Sequence, residues 1–212
     1  MGRRIGLARV ENLLENLKRE INLAGSTLTS ATITGQSNAI TAAHGAGAIS
    51  TEVAPAHYRY TAPDGSLVNT IDLDLTGLKS YNDEGDVIGL DGVAGAYVTK
   101  YVASTFGVLY KVEMSCLELP TASSNVALDF DLISATSATL AGDGAVDGES
   151  DAVDVFIGGG NAVLGTTIQD LSAGQPDADG DAIYLVTGAT HSGASVFTAG
   201  KLLIKFYGHP TF

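Results

Sequence analysis

Residues 108–119 read VLYKVEMSCLEL, and Pro120 follows. Val108, Tyr110, Val112, Met114 and Cys116 fall on one side of an extended chain, and Lys111, Glu113 and Ser115 on the other. A period of two over this length predicts a β-strand with one face in a core and one in water. Proline cannot donate to a ladder and is expected to end the strand.

The same alternation recurs on both sides of this stretch. Upstream, Pro55 and Pro63 bracket a strand at 57–61. Ile71, Leu73 and Leu75 oppose Asp72 and Asp74 in 68–75. Tyr97, Thr99 and Tyr101 alternate with Val98, Lys100 and Val102 in 96–102. Downstream, Val126, Leu128, Phe130 and Leu132 oppose Asp129 and Asp131 in 126–133. Val153, Val155 and Ile157 share a face in 152–157, and Ile183 and Leu185 share one in 182–187. Leu202, Ile204 and Phe206 oppose Lys201, Lys205 and Tyr207 in 201–207. A further short strand fits 86–90, and a helical turn fits 164–172. About eight half-buried strands predict a mainly β fold, an antiparallel sandwich of the jelly-roll kind, in a domain at 57–212. Glycine supports this reading: 26 of 212 residues, roughly 12 % against a usual value of about 7 %, suits short strands joined by many turns.

The chain in front of this body has a different character. Leu7, Val10, Leu14, Leu17, Ile21 and Ala24 are spaced three, four, three, four and three apart. That is a heptad seam, with Leu7, Leu14 and Ile21 at a and Val10, Leu17 and Ala24 at d. The spacing predicts an amphipathic, coiled-coil helix within 1–25 that Gly25 ends. Three heptads are marginal alone, so the helix needs copies of itself held together by the body, or a groove on a partner. Residues 26–56 are rich in Thr, Ser, Ala and Gly and read as an extended arm or linker, with a short strand at 27–33.

Charge divides along the same line. Residues 1–24 hold five Arg and Lys, including Arg3, Arg4 and Arg9, against three Glu, a net of +2. The rest holds six cations against 21 acids, a net of −15. An acidic body repels phosphate, so nucleic acid is not an expected partner. No apolar run spans a bilayer, and no continuous apolar segment follows the basic start, so neither a membrane nor a secretory signal is expected. Gly6 stands where a myristoylation signal needs Ser or Thr. The single cysteine, Cys116, allows no internal disulfide and no Cys-based zinc site.

Motifs for catalysis are lacking. There is no Gly-x-Ser-x-Gly elbow, no His-Glu-x-x-His and no phosphate loop. Cys116 reads as a core thiol, and His44, His57, His191 and His209 as surface or loop residues. Gly158-Gly159-Gly160 reads as a turn. Paired carboxylates of the glycosidase kind lack the aromatic platforms that usually accompany them, for there is no Trp. The site candidates are acidic loops. Asp143, Asp147, Glu149, Asp151 and Asp154 cluster in one loop and strand edge. Asp177, Asp179 and Asp181 alternate in a loop that begins like a calcium-binding EF-hand, although Ala182 and Gly188 stand where that motif needs Gly and Glu. Otherwise no cofactor is expected.

Three blocks, MGRRIGLARVENLLENLKREINL, YKVEMSCLELPTAS with DFDLISATSAT, and YLVTGA with FTAGKLLIKFYG, together resemble virion structural proteins of marine tailed phages, including those infecting cyanobacteria. The resemblance implies membership of a particle and no catalysis. Its leading form is a capsid decoration (cement) protein on the head exterior, a homotrimer whose partners are its own copies and the major capsid protein or other virion proteins. The alternative is a fibre or knob component that binds a host receptor or glycan. No site residues carry over from it.

Overall fold

The structure, a computed structural model, describes residues 38–40, 56–122, 128–146 and 148–211. The seam residues Leu7, Val10, Leu14, Leu17, Ile21 and Ala24, the basic residues Arg3, Arg4 and Arg9, and the strand expected at 27–33 lie outside the described residues.

The described chain is mainly β. Its strands are β1 (Asn38–Ile40), β2 (Ala56–Thr61), β3 (Leu67–Asp74), β4 (Lys79–Ser80), β5 (Thr99–Lys100), β6 (Val108–Ala122), β7 (Phe130–Ala135), β8 (Val153–Phe156), β9 (Thr167–Asp170), β10 (Ala182–Thr187) and β11 (Ser195–His209). A single helical turn, α1 (Ala103–Phe106), sits between β5 and β6. All of them belong to one compact unit, Thr34–Phe212. β1 falls inside the segment read as an arm and adds an antiparallel strand beside β2.

Every strand pair is antiparallel. One sheet runs β1-β2-β3-β11-β6-β9, with β4 also paired to β11, and the other runs β5-β10-β7-β8. With β1, β2 and β4 set aside, the pairing of the remaining eight is nested. The first (β3) pairs with the last (β11), the second (β5) with the seventh (β10), the third (β6) with the sixth (β9) and the fourth (β7) with the fifth (β8).

The inner faces follow the alternation in the sequence. Ile71, Leu73, Val112, Met114, Cys116, Leu202, Ile204 and Phe206 from one sheet meet Phe130, Leu132, Phe156, Ile183 and Leu185 from the other in one buried cluster. The outer face of the four-stranded sheet departs from expectation, because it is covered rather than wet. Ile133, Ala135, Ala182, Tyr184 and Val186 form a second cluster with Val87, Ala96 and Val146. Two connecting segments, near 85–96 and 138–146, are laced over it: Val87 N–H donates to the Gly144 carbonyl at 3.0 Å and Ala96 N–H to the Leu140 carbonyl at 2.9 Å. Both faces of β10 are therefore buried, and its run of six buried residues looks like a central strand of an α/β sheet more than an amphipathic one.

Bulges account for most other departures. The ladder passes from Lys111↔Tyr207 to Leu109↔Gly208, so Tyr110 is an extra residue and the inward parity changes hand. Val108 is consequently 48 % exposed and Leu109 is buried, the reverse of the simple alternation. Pro120 does not end β6. Beyond Glu118↔Lys201 the next partners are Thr121↔Ala199, so the proline sits at an irregularity that requires no ladder bond from it. Gly200 opposite has φ +138°, and a Cβ there would lie 2.8 Å from the Pro120 Cα. In β8 the register jumps from Leu132↔Phe156 to Ile133↔Asp154, which buries Val155 and Phe156 together and leaves Ile157 exposed rather than on their face. Residues 167–170, within the expected helical turn, form edge strand β9. The strand expected at 96–102 shrinks to Thr99–Lys100; beyond it Tyr101 still bonds the turn before β10, its N–H donating to the Asp181 carbonyl and its carbonyl accepting the Gly180 N–H, both at 2.8 Å.

Candidate functional site

Asp177, Asp179 and Asp181 do not converge. Asp179 accepts the Ala103 N–H at the start of α1 at 2.6 Å. Asp181 is buried, accepts the Ala178 N–H at 2.8 Å and lies 3.4 Å from the Thr136 hydroxyl. Asp177 is exposed. The chain turns at 178–181, where the Asp181 N–H donates to the Ala178 carbonyl at 3.2 Å, so the EF-hand-like spacing does not become a cage. Among the described residues no group of three or more His, Cys, Asp or Glu side chains is placed to hold a metal ion. The other expected cluster also separates. Asp151 accepts the Thr136 N–H at 2.8 Å, and hydrogen bonding from the Thr136 side chain, then from its N–H, holds the Asp151 carboxyl below the usual range. Asp147 lies outside the described residues, and Asp154 faces elsewhere.

Where Asp154 goes is the most distinctive polar feature of the body. Asp154 stands opposite Ile133 in the β7–β8 ladder, which puts it on the outer face of the four-stranded sheet with Asp131, two residues along β7. The lacing over that face stops short of this end. It leaves a cavity of about 300 Å³ lined by Glu84, Asp129, Asp131, Asp154, Thr187 and Thr190, floored by Ile133 and Ile157. Among the described residues no basic side chain lines it.

Asp129 is the structural member. It is 1 % exposed and accepts the Gly160 N–H at 3.2 Å, the Thr190 N–H at 3.0 Å and the Thr190 hydroxyl at 2.8 Å. It thereby ties the 158–160 turn to the 188–190 turn. A carboxylate with three donors is stable when buried. Asp131 has one donor, the Gly158 N–H at 2.5 Å. Gly158 must be glycine here, since a Cβ would stand 2.4 Å from the Phe130 carbonyl oxygen. Burial, followed by the charges of Asp129, Asp154 and Glu84, pushes the Asp131 carboxyl up to about 6.

The sign of the consequence follows from linkage. A carboxyl whose folded pKa is raised contributes stability that is present below its unfolded value of 3.8 and lost as pH rises through about 6. Fully buried, a shift of this size is worth about 3 kcal/mol; half-buried and screened, about 1 kcal/mol is expected. Asp131→Asn should therefore stabilise the protein by about 1 kcal/mol at pH 7.5, with the two curves converging below pH 4. Urea midpoints between pH 4 and pH 8 measure it, and a difference that does not change with pH would remove the explanation.

A second surface lies on the outer face of the seven-stranded sheet. Register aligns Tyr60, Val68, Tyr207 and Lys111 in one row and Tyr58, Thr70, Lys205 and Glu113 in the next. The Tyr207 hydroxyl donates to Glu113 at 2.6 Å, and the Lys111 ammonium lies 3.0 Å from Glu113 and 3.7 Å above the Tyr207 ring. Burial raises the Glu113 carboxyl, but the Tyr207 and Lys111 contacts outweigh it and hold the group below its usual range. Tyr110 stacks on His209 at 4.5 Å.

The single residues read from the sequence have mixed fates. Cys116 is a buried thiol, as expected, and burial raises its pKa. His57 and His191 are buried rather than on the surface; His57 Nε2 lies 3.1 Å from the Asn69 side-chain oxygen. Asp131 and Glu84 were not legible as a pair, because sequence alternation assigned Asp129 and Asp131 alike to a wet face. Among the described residues no helix is long and apolar enough to cross a membrane. Compared with protein-family models, with curated proteins and with solved structures, the chain matches none.

Proposed function

We propose that the chain is a virion structural protein, a capsid decoration (cement) protein that coats or stabilises a phage head as symmetric homotrimers on the capsid exterior. The observation that carries it is the nested pairing of eight antiparallel strands behind a heptad seam. Nesting of first with last, second with seventh and so on is what results when a four-over-four hairpin is rolled up, so the body is read as a jelly-roll sandwich, an architecture common in capsid proteins. Fold alone does not fix function; the three resembling sequence blocks supply the particle context. The body's net charge of −15 suits a soluble outer coat, and repeated copies spread marginal contacts over a shell. Its partners are its own copies and the major capsid protein or other virion proteins. The acidic cavity is read as structural rather than catalytic.

The test is direct. The full chain should sediment at a multiple of its protomer mass and should be found by mass spectrometry in purified particles, on the head surface in reconstructed images. A monomer at high concentration together with absence from particles would sink the proposal. A fibre or knob component that binds a receptor or glycan is the second reading. It is favoured by the half-exposed Tyr58 and Tyr60 beside Tyr207, since such rings offer flat apolar faces with polar rims. Glycan binding lost in Tyr58→Ala would separate the two.

A further inference from the structure

Six of the twelve exposed large apolar side chains among the described residues gather along one edge of the seven-stranded sheet. Among the described strands β9 forms that edge and pairs only with β6. The Cys116 N–H donates to the Thr166 carbonyl at 3.0 Å, which fixes the alternation. Thr166, Ile168 and Asp170 turn their main-chain groups toward β6, and Thr167 and Gln169 turn theirs to the open side. Val163 and Leu164 precede the strand, in a turn closed by the Thr166 N–H on the Val163 carbonyl at 3.0 Å. The Gly165 N–H on the Cys116 carbonyl, at 2.9 Å, draws that turn alongside Leu117, with Leu119 beyond. Leu171 follows the strand, 73 % exposed. Ile157 joins that end because its N–H donates to the Asp170 carboxylate at 3.3 Å.

We propose that β9 is a contact between copies: its free edge pairs antiparallel, about a two-fold axis, with β9 of a second copy of this chain. Self-complementarity selects that occupant. Antiparallel self-pairing lays the C-terminal end of one β9, with Leu171, against the N-terminal end of the other, with Val163 and Leu164, and the axis repeats the contact. Edge strands are normally guarded by lysine, proline or bulges. Residues 167–170, Thr-Ile-Gln-Asp, carry none of these, and the Asp170 carboxylate is occupied by the Ser172 and Ile157 N–H groups. The six side chains expose on the order of 500 Å² per copy, so two copies with their main chain and polar rim reach the size of a specific interface, about 1,200 Å² or more. The six side chains are themselves uncharged, and the two acids among them, Glu118 and Asp170, are met by Lys201 at 3.8 Å and by the Ser172 and Ile157 N–H groups, which limits the repulsion between two bodies of net −15. The inference rests on the oligomer reading above only in taking a copy of the chain as partner; it requires neither the seam nor a phage particle.

The full chain carrying Leu164→Asp and Leu171→Asp should sediment at a smaller mass than the unaltered protein at the same concentration, with the same circular dichroism. An unchanged mass overturns the contact. Since the native Cys116 is buried, Gln169→Cys should give covalent dimers with a short bis-maleimide, and Asn82→Cys, exposed on a distant loop, should not. Equal yields overturn it too. In a full chain whose seam is broken by Leu14→Asp and Leu17→Asp, the Gln169→Cys cross-link should persist. Its loss there overturns the two-fold contact and leaves the seam-based trimer standing.

Discussion

Phe206→Ala is expected to cost about 3–5 kcal/mol of folding stability, a large part of what a domain of this size has. Phe206 is fully buried and sits in the central strand of the seven-stranded sheet, between Asn69 on β3 and Val112 on β6. Its ring meets Phe106 edge to face at 5.4 Å and 89°, and Phe106 in turn approaches Tyr101 at 5.9 Å and His57 at 5.5 Å. Removing the ring deletes its transfer free energy and leaves a hole that flanking ladder residues, fixed by pairs on both sides, cannot collapse to fill. It also releases α1, whose one buried side chain is Phe106. Urea unfolding at a fixed protomer concentration measures the effect, since association shifts apparent stability by mass action. A midpoint that barely moves, with an unchanged slope, would mean that the two-sheet core is not the main stabilising unit.

That position was readable in advance, and the reason is physical. Leu202, Ile204 and Phe206 lie on a strand with regular ladder pairs on both sides, so a period of two maps directly onto faces. Where a bulge inserts one residue, the mapping inverts without any change in composition, as at Tyr110 and again at Val155. Nothing in VLYKVE distinguishes a regular strand from a bulged one, because the extra residue is specified by the partner strand, where Lys111 faces Tyr207 and Leu109 faces Gly208. β9 escaped for a related reason. It is four residues long and half-buried, with the pattern eased by its edge position, so its strand character comes from β6 rather than from its own residues. The covered outer face of β10 was in fact written as Ala182-Ile183-Tyr184-Leu185-Val186, an unbroken apolar run, and reading only its alternate residues discarded that signal.

The acidic cavity illustrates the same limit at a site. Acids on a strand predict a solvated face, and most acids here obey. Asp131 does not, because connecting segments from elsewhere in the chain roof the sheet up to its neighbourhood and stop. The distinction between a wet carboxylate and one held near pH 6 is set by where those segments end. Composition of the strand itself carries no information on that.

The seam in front of the body gives the largest expected change in assembly. Leu14→Asp with Leu17→Asp should break the proposed trimer's helical contact, leaving nothing larger than the two-fold dimer expected from β9, while the β-body stays folded. One substitution falls at an a position and the other at the following d position, so each copy would bring two carboxylates into the apolar seam of a three-stranded interface. Burying an unpaired charge costs several kcal/mol, and the contact offers only about three heptads to oppose it. The body should not respond, because the buried clusters that hold it are built from described residues between Ile71 and Phe206. Sedimentation and circular dichroism on the same sample check both halves of the expectation. If the double variant remains a trimer, the sheets hold the assembly and the basic residues Arg3, Arg4 and Arg9 become the informative ones. In that case deletion of residues 1–25 should leave an oligomer that no longer attaches to particles, which assigns the segment to docking. If the variant instead falls to the two-fold dimer expected from β9, then two symmetries operate in one chain, one closing trimers through the seam and the other linking neighbouring trimers edge to edge, and their combination is enough to extend a coat over a curved shell.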